Sequence, residues 1–131
     1  MEITAPKQTI RKSPQEVYDL LNELPNIEKL MPEDLKEFKI TGEDSLYFVL
    51  KGMPKIYLIR GECEPPSRIV LESAREAYTF HIAAQIDAID DSSSEVTFDF
   101  KGDFNMMMEM MIKSPITNLI NTMADNLQKF S

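Results

Sequence analysis

Residues 78–104 constrain this chain more than any other stretch, because two long runs within them alternate with a period of two. In the first run Phe80, Ile82, Ala84, Ile86 and Ala88 share one parity, and Thr79, His81, Gln85 and Asp87 share the other. In the second, Val96, Phe98, Phe100 and Phe104 share a parity with Gly102, against Thr97, Asp99, Lys101 and Asp103. Successive side chains of a strand point to opposite faces, so each run has an apolar and a polar side. Only Asp90-Asp91-Ser92-Ser93-Ser94 separates them, and strands joined so closely pair antiparallel. The expected product is a sheet wet on one face and dry on the other. The dry face needs a cover.

The remaining segments supply more strands and the cover. Residues 2–10 read as a strand through Ile3, Thr4, Thr9 and Ile10. Pro6 cannot donate to a ladder, which places this strand at an edge or on a bulge. Ser13-Pro14-Gln15-Glu16 is a helix start, with Ser13 as cap, Pro14 at the first helical position and Glu16 closing a capping box. Val17, Leu20, Leu21 and Leu24 follow on one face, and Pro25 reads as the stop. Asn26 then reads as the cap of a second short helix carrying Ile27, Leu30 and Met31, stopped by Pro32. Strands are expected over residues 35–40, 46–51, 55–64 and 68–73. In 46–51 and 55–64 both parities carry apolar side chains, so the pattern does not orient them.

Residues 105–131 return to a helical period. Ile112, Ile116, Leu119, Ile120, Met123, Leu127 and Phe130 make one stripe. Ser114-Pro115 repeats the Ser13-Pro14 device, so a kink or restart is expected at Ser114. This stripe alone is long enough to cover the dry face. The reading is therefore one α+β domain over residues 1–131: strand, two short helices, six strands and a long helix.

Composition removes several function classes. A length of 131 residues with 43% hydrophobic content suits one core. The formal net charge of -8 repels nucleic acid and anionic lipid, and no Lys/Arg cluster counters it. No run approaches the roughly 20 apolar residues of a membrane span. Residues 1–10 lack the apolar centre of a secretory signal, so a cytoplasmic location is expected. Cys63 is alone and builds neither an internal disulfide nor a thiolate metal site. His81, the single histidine, falls on a polar parity without a second metal-spaced partner. Asp87, Asp99 and Asp103 read as a solvated acidic face, not a cation loop. No metal and no cofactor are expected.

Three stretches, and the order of elements, resemble the helix-grip fold of the START-like (SRPBCC) superfamily. They are Ser13-Pro14-Gln15-Glu16-Val17-Tyr18-Asp19-Leu20-Leu21, Asn26-Ile27-Glu28-Lys29-Leu30-Met31-Pro32, and the closing helix. That superfamily includes polyketide cyclases, pollen-allergen-type proteins and lipid-transfer domains. Such signatures set architecture and mark no reaction. The resemblance implies a curved sheet around the C-terminal helix, with a cavity between them for a small apolar or aromatic molecule. The strands are expected to line it with Phe48, Tyr57, Ile59, Phe80, Ile82, Phe98, Phe100 and Phe104. The helix is expected to add Met107, Met111, Ile116, Leu119, Ile120 and Met123. Tyr47, Tyr57 and Arg60 are the polar groups expected to reach it.

Three functions follow from this reading. The first is binding of a small apolar molecule without catalysis. The second is a cyclase- or dehydratase-like enzyme, with Tyr47, Tyr57 or Arg60 orienting a carbonyl. The third is a homodimer or protein-interaction module using the Met-rich segment 106–111. Five of the nine methionines fall in that segment, and five positions in six go round a helix, so some must face away from the core. Methionine suits pliable binding surfaces, either at a cavity entrance or at a contact.

Overall fold

The computed structural model describes residues Met1–Ser131. Eight strands and three helices follow one another along the chain. They are β1 (Glu2–Thr4), β2 (Gln8–Ile10), α1 (Pro14–Asn22), α2 (Leu24–Glu28), β3 (Leu35–Ile40), β4 (Ser45–Leu50), β5 (Ile56–Arg60), β6 (Arg68–Ser73), β7 (Thr79–Asp90), β8 (Ser93–Asp103) and α3 (Met106–Asn126). A single 3-10 turn, Leu127–Phe130, closes the chain. All strands join one antiparallel sheet in the order β1-β8-β7-β6-β5-β4-β3, with β2 also on β8. Pro6 splits the expected first strand into β1 and β2, which both pair with β8.

Alternation holds through β8 and from Phe80 to Ile86 in β7, with two departures: Ala83 is buried on the polar parity, and Ala88, expected on the dry face, is exposed where the register shifts before Asp90. β7 and β8 pair from Thr79↔Asp103 to Asp90↔Ser93, and Val96, Phe98, Phe100 and Gly102 turn to the dry side. The loop between them is tighter than expected. Asp90 accepts from the Ser92 backbone N–H at 2.9 Å, and that bond holds the Asp90 carboxyl below its ordinary range. β4 and β5 are now oriented. Leu46, Phe48, Leu50 and Leu58 are buried on the dry side, and Tyr47, Val49, Tyr57 and Ile59 face outward. β5 is shorter than the expected 55–64: beyond Arg60 only the Gly61 N–H bond to the Val70 carbonyl and an isolated Glu64–Arg68 bridge continue its pairing with the β6 side.

α1 starts as its sequence dictates, with both capping-box bonds between Ser13 and Glu16 formed. Its end differs from expectation. α1 stops at Asn22, and Pro25 sits in the first turn of α2, where a missing N–H costs nothing. Asn26 does not cap α2; its Nδ2 donates to the Leu20 carbonyl at 2.8 Å. Arg60 completes this repair of the α1 terminus. Its guanidinium donates to Asn22 Oδ1 at 2.6 Å, to the Asn22 carbonyl at 3.0 Å and to Asp44 Oδ1 at 2.8 Å. The open carbonyls of a helix end need such partners.

α3 runs unbroken through Pro115, so the expected kink or restart at Ser114 does not occur. Proline inside a helix costs about 3 kcal/mol. Against it stand Ile112, Ile116, Leu119, Ile120 and Met123, all buried on the sheet. Burying each such side chain contributes about 1.5–3 kcal/mol, so packing outweighs the lost bond. The far end of α3 is tied down by Asn126, whose Nδ2 donates to the Leu30 carbonyl at 3.0 Å.

Two outcomes test this account. If α3 is continuous, Pro115→Ala raises thermal stability by roughly 1–3 kcal/mol; an unchanged melt would mean the helix restarts at Ser114. The Glu16 carboxyl is held below its ordinary value by the Ser13 backbone N–H, then by the Ser13 side chain. A depressed folded pKa contributes stability above the unfolded value, and this is lost as pH falls through the folded one. Wild type therefore melts above Glu16→Ala at pH 7, and the gap closes in acid below the usual carboxylate range. A gap that persists at pH 2 contradicts the capping role.

Candidate functional site

Side chains of the dry face and α3 leave a cavity of about 70 Å³ between them. Its strand wall is Ile56, Phe80, Ile82, Phe100 and Phe104. Its helix wall is Met108, Ile112 and Ile116, spaced i, i+4, i+8 on the inner stripe. Met53, Pro54 and Lys55 of the β4–β5 turn and Tyr78, just before β7, complete the lining. Tyr78 is 39% exposed, which puts this rim at the solvent side.

The three phenylalanines form one aromatic wall. Phe80 and Phe100 have ring centroids 5.4 Å apart at 25°, and Phe100 and Phe104 lie 6.1 Å apart at 10°. Gly102 makes this possible. A Cβ there would sit 2.6 Å from Phe104 Cε2 and 2.7 Å from Phe80 Cβ, so the rings occupy the space a side chain would need. Near-parallel faces of this kind accept a flat apolar ring.

The site collects only part of what the sequence suggested. Phe80, Ile82, Phe100, Phe104 and Ile116 line the cavity. Phe48, Leu119 and Ile120 are fully buried in filled core, away from it. Phe98 and Met123 border a separate, nearly filled gap of about 20 Å³ under α1 and α2. Ile59 is 41% exposed on the outer face, because strand parity pairs it with Tyr57 and sets both opposite to Leu58. Met107 and Met111 are 75% and 65% exposed, since helical spacing carries them away from the Ile112–Ile116 side. Met108, Ile112, Ile56, Tyr78 and the 53–55 turn take their places. Met108 and Ile112 were findable, because they sit eight and four residues before Ile116 on one stripe.

The expected polar groups do not reach the cavity. Tyr47 donates to Glu37 Oε1 at 2.6 Å on the outer face, and that bond, then burial, raises its phenol. Tyr57 lies beside it at 5.5 Å between ring centroids, with the Arg75 guanidinium 4.5 Å from its ring. Lys55 Nζ stands 4.6 Å from the Tyr47 ring, so its charge also turns outward. Arg60 is committed to Asn22 and Asp44. Burial raises the Tyr18 phenol, with the neighbouring Cys63 thiol as a further cause, and Tyr18 does not line the cavity. His81 sits on the outer face, 3.4 Å from Asp99, which also meets Arg68 at 3.5 Å. The arrangement offers apolar contact on nearly every side. Of the polar side chains, only Tyr78 and Lys55 border the cavity, both at the rim.

Together, sheet, gripped helix and intervening cavity make a helix-grip fold, the fold that the sequence resemblance implied. Solved structures agree. Norcoclaurine synthase from Thalictrum flavum, in complex with dopamine and hydroxybenzaldehyde, superposes with a TM-score of 0.74 at 10% identity, covering 99% of this chain and 85% of that one. A START superfamily protein from Mycobacterium smegmatis gives 0.68 at 8% identity, covering 99% of both chains. A Thermus thermophilus protein gives 0.73 at 11% identity over 98% of this chain and 95% of its own. No protein-family model and no curated protein matches the chain. At these identities the likeness concerns the fold.

Gly102→Ala tests the aromatic wall. The new methyl displaces Phe104 or Phe80, and overpacking of this kind costs roughly 1–3 kcal/mol. A lower melting temperature, with altered phenylalanine side-chain resonances, is the expected result. A melt and spectrum like wild type would show that the wall is looser than described.

Proposed function

We propose that this chain binds a small, flat apolar molecule between the aromatic wall and α3, without reacting it. The observation that carries this reading is the dry cavity against Phe80, Phe100 and Phe104, open at the Tyr78 and Met53 rim. The norcoclaurine synthase structure, in complex with dopamine and hydroxybenzaldehyde, supports ring binding by a protein of this fold.

Size sets the terms of binding. About 70 Å³ is well below the roughly 300 Å³ at which small-molecule sites begin. An engineered apolar cavity of about 150 Å³ elsewhere takes benzene. A single ring therefore enters only if the rim gives way. Met108 and Met53 are half-buried there, and methionine's flexible stem repacks at low cost. The ligand class is one ring or a short apolar chain, not a sterol. A cyclase-like reading loses its support, since Tyr47, Tyr57 and Arg60 all serve other contacts.

Thermal melts with benzene, indole, short fatty acids and a flavonoid, each up to millimolar, test the reading. A bound ligand at 100 times its Kd raises stability by about 2.7 kcal/mol. The expected pattern is a rise with single-ring compounds that Ile116→Phe, filling the cavity, abolishes while remaining folded. No rise with any compound, or an equal rise in Ile116→Phe, overturns it.

A further inference from the structure

Met106, Met107, Met110 and Met111 stand on the solvent side of α3 at 78%, 75%, 79% and 65% exposure. Helix propensity does not explain them, because Leu, Glu, Lys and Gln serve an exposed helix equally well. Core packing does not explain them either, since Ile112, Ile116 and Leu119 fill the opposite side. What distinguishes methionine from leucine, the apolar alternative, is its sulfur and its unbranched stem.

The spacing brings the sulfurs within reach of one another. Met106 and Met110, like Met107 and Met111, are i, i+4 neighbours, and Met107 and Met110 are i, i+3. Such pairs have Cβ atoms about 5–6 Å apart. Methionine's unbranched stem has three rotatable bonds, so three sulfurs can turn to one point above the helix. Met107 and Met110 belong to each triplet that these neighbour relations allow, with Met106 or Met111 as the third. Thioethers are soft, neutral donors, and soft donors of this kind select Cu(I) over harder cations.

We propose that Met107 and Met110, with Met106 or Met111, form a surface site for a soft monovalent metal ion, Cu(I), separate from the apolar cavity. The charge surroundings are mixed. The positive end of α3 and Lys113, beside Met110, oppose a cation. Glu109 in the first turn, although 3.5 Å from the Met1 amine, and the net charge of -8 favour one. A monovalent ion suits such a balance better than a divalent one.

The test is made in a Cys63→Ser background, because the free thiol is itself a soft ligand. Ag(I) is the redox-inert probe, followed by the methyl resonances of labelled methionine. At one equivalent the expected result is a shift confined to methionines 106, 107, 110 and 111. Competition against a Cu(I) chelator should then show that Met107→Leu with Met110→Leu weakens Cu(I) binding by roughly tenfold or more, or about 1.4 kcal/mol. Both sites are exposed, so the melting temperature should hold. Leucine preserves an apolar patch, so contact between copies of the chain would survive it. No shift at one equivalent, shifts spread over all nine methionines, or unchanged affinity in the double variant overturns the proposal.

Discussion

The dry face of the β7–β8 hairpin must be kept from water, and α3 is what keeps it. Phe98 and Phe100 are buried on that face, and Ile112, Ile116, Leu119, Ile120 and Met123 are buried on the helix. Apolar burial at about 25 cal/mol per Å² is the only favourable term here large enough to hold a proline-bearing helix straight. Other elements serve this contact. β1 and β2 extend the sheet past β8, and α1 with α2 cover the part of the dry face that α3 leaves open.

The cavity is a consequence of that same packing. Interiors fill to the density of organic crystals, so a gap marks a place where shapes do not meet. Here Phe80 and Phe104 crowd over Gly102, and the rings of Phe80, Phe100 and Phe104 stack on one another. Near the other end of the helix, Leu119, Ile120 and Ala124 are fully buried, and only the gap of about 20 Å³ beside Met123 remains. The opening therefore falls at the methionine-rich end, beside side chains able to shift.

Polar chemistry is kept outside. Tyr47, Glu37, Tyr57, Lys55 and Arg75 satisfy one another on the outer face, and Arg68, His81 and Asp99 do so further along the sheet. Arg60 lies inward but is absorbed by the end of α1. The guanidinium is half-buried, and Asn22 and Asp44 meet three of its five N–H donors. The interior that remains is almost wholly apolar.

Local pattern alone decided a good deal. The period of two in residues 79–103 determined which phenylalanines point inward. Ser13 and Glu16 determined where α1 begins. The helical stripe from Ile112 to Met123 determined which element covers the sheet. These features were legible because each depends on bonds or spacings within a few residues. Tertiary structure decided the rest. Tyr47 and Tyr57 sit in strands apolar on both parities, so only pairing with β3 and β6 turned them outward. Pro115 looked like a break, and only the energy of distant contacts carried the helix through it. The cavity itself belongs to no segment. It is the space left when two independently patterned surfaces meet, and its size depends on side chains far apart in sequence.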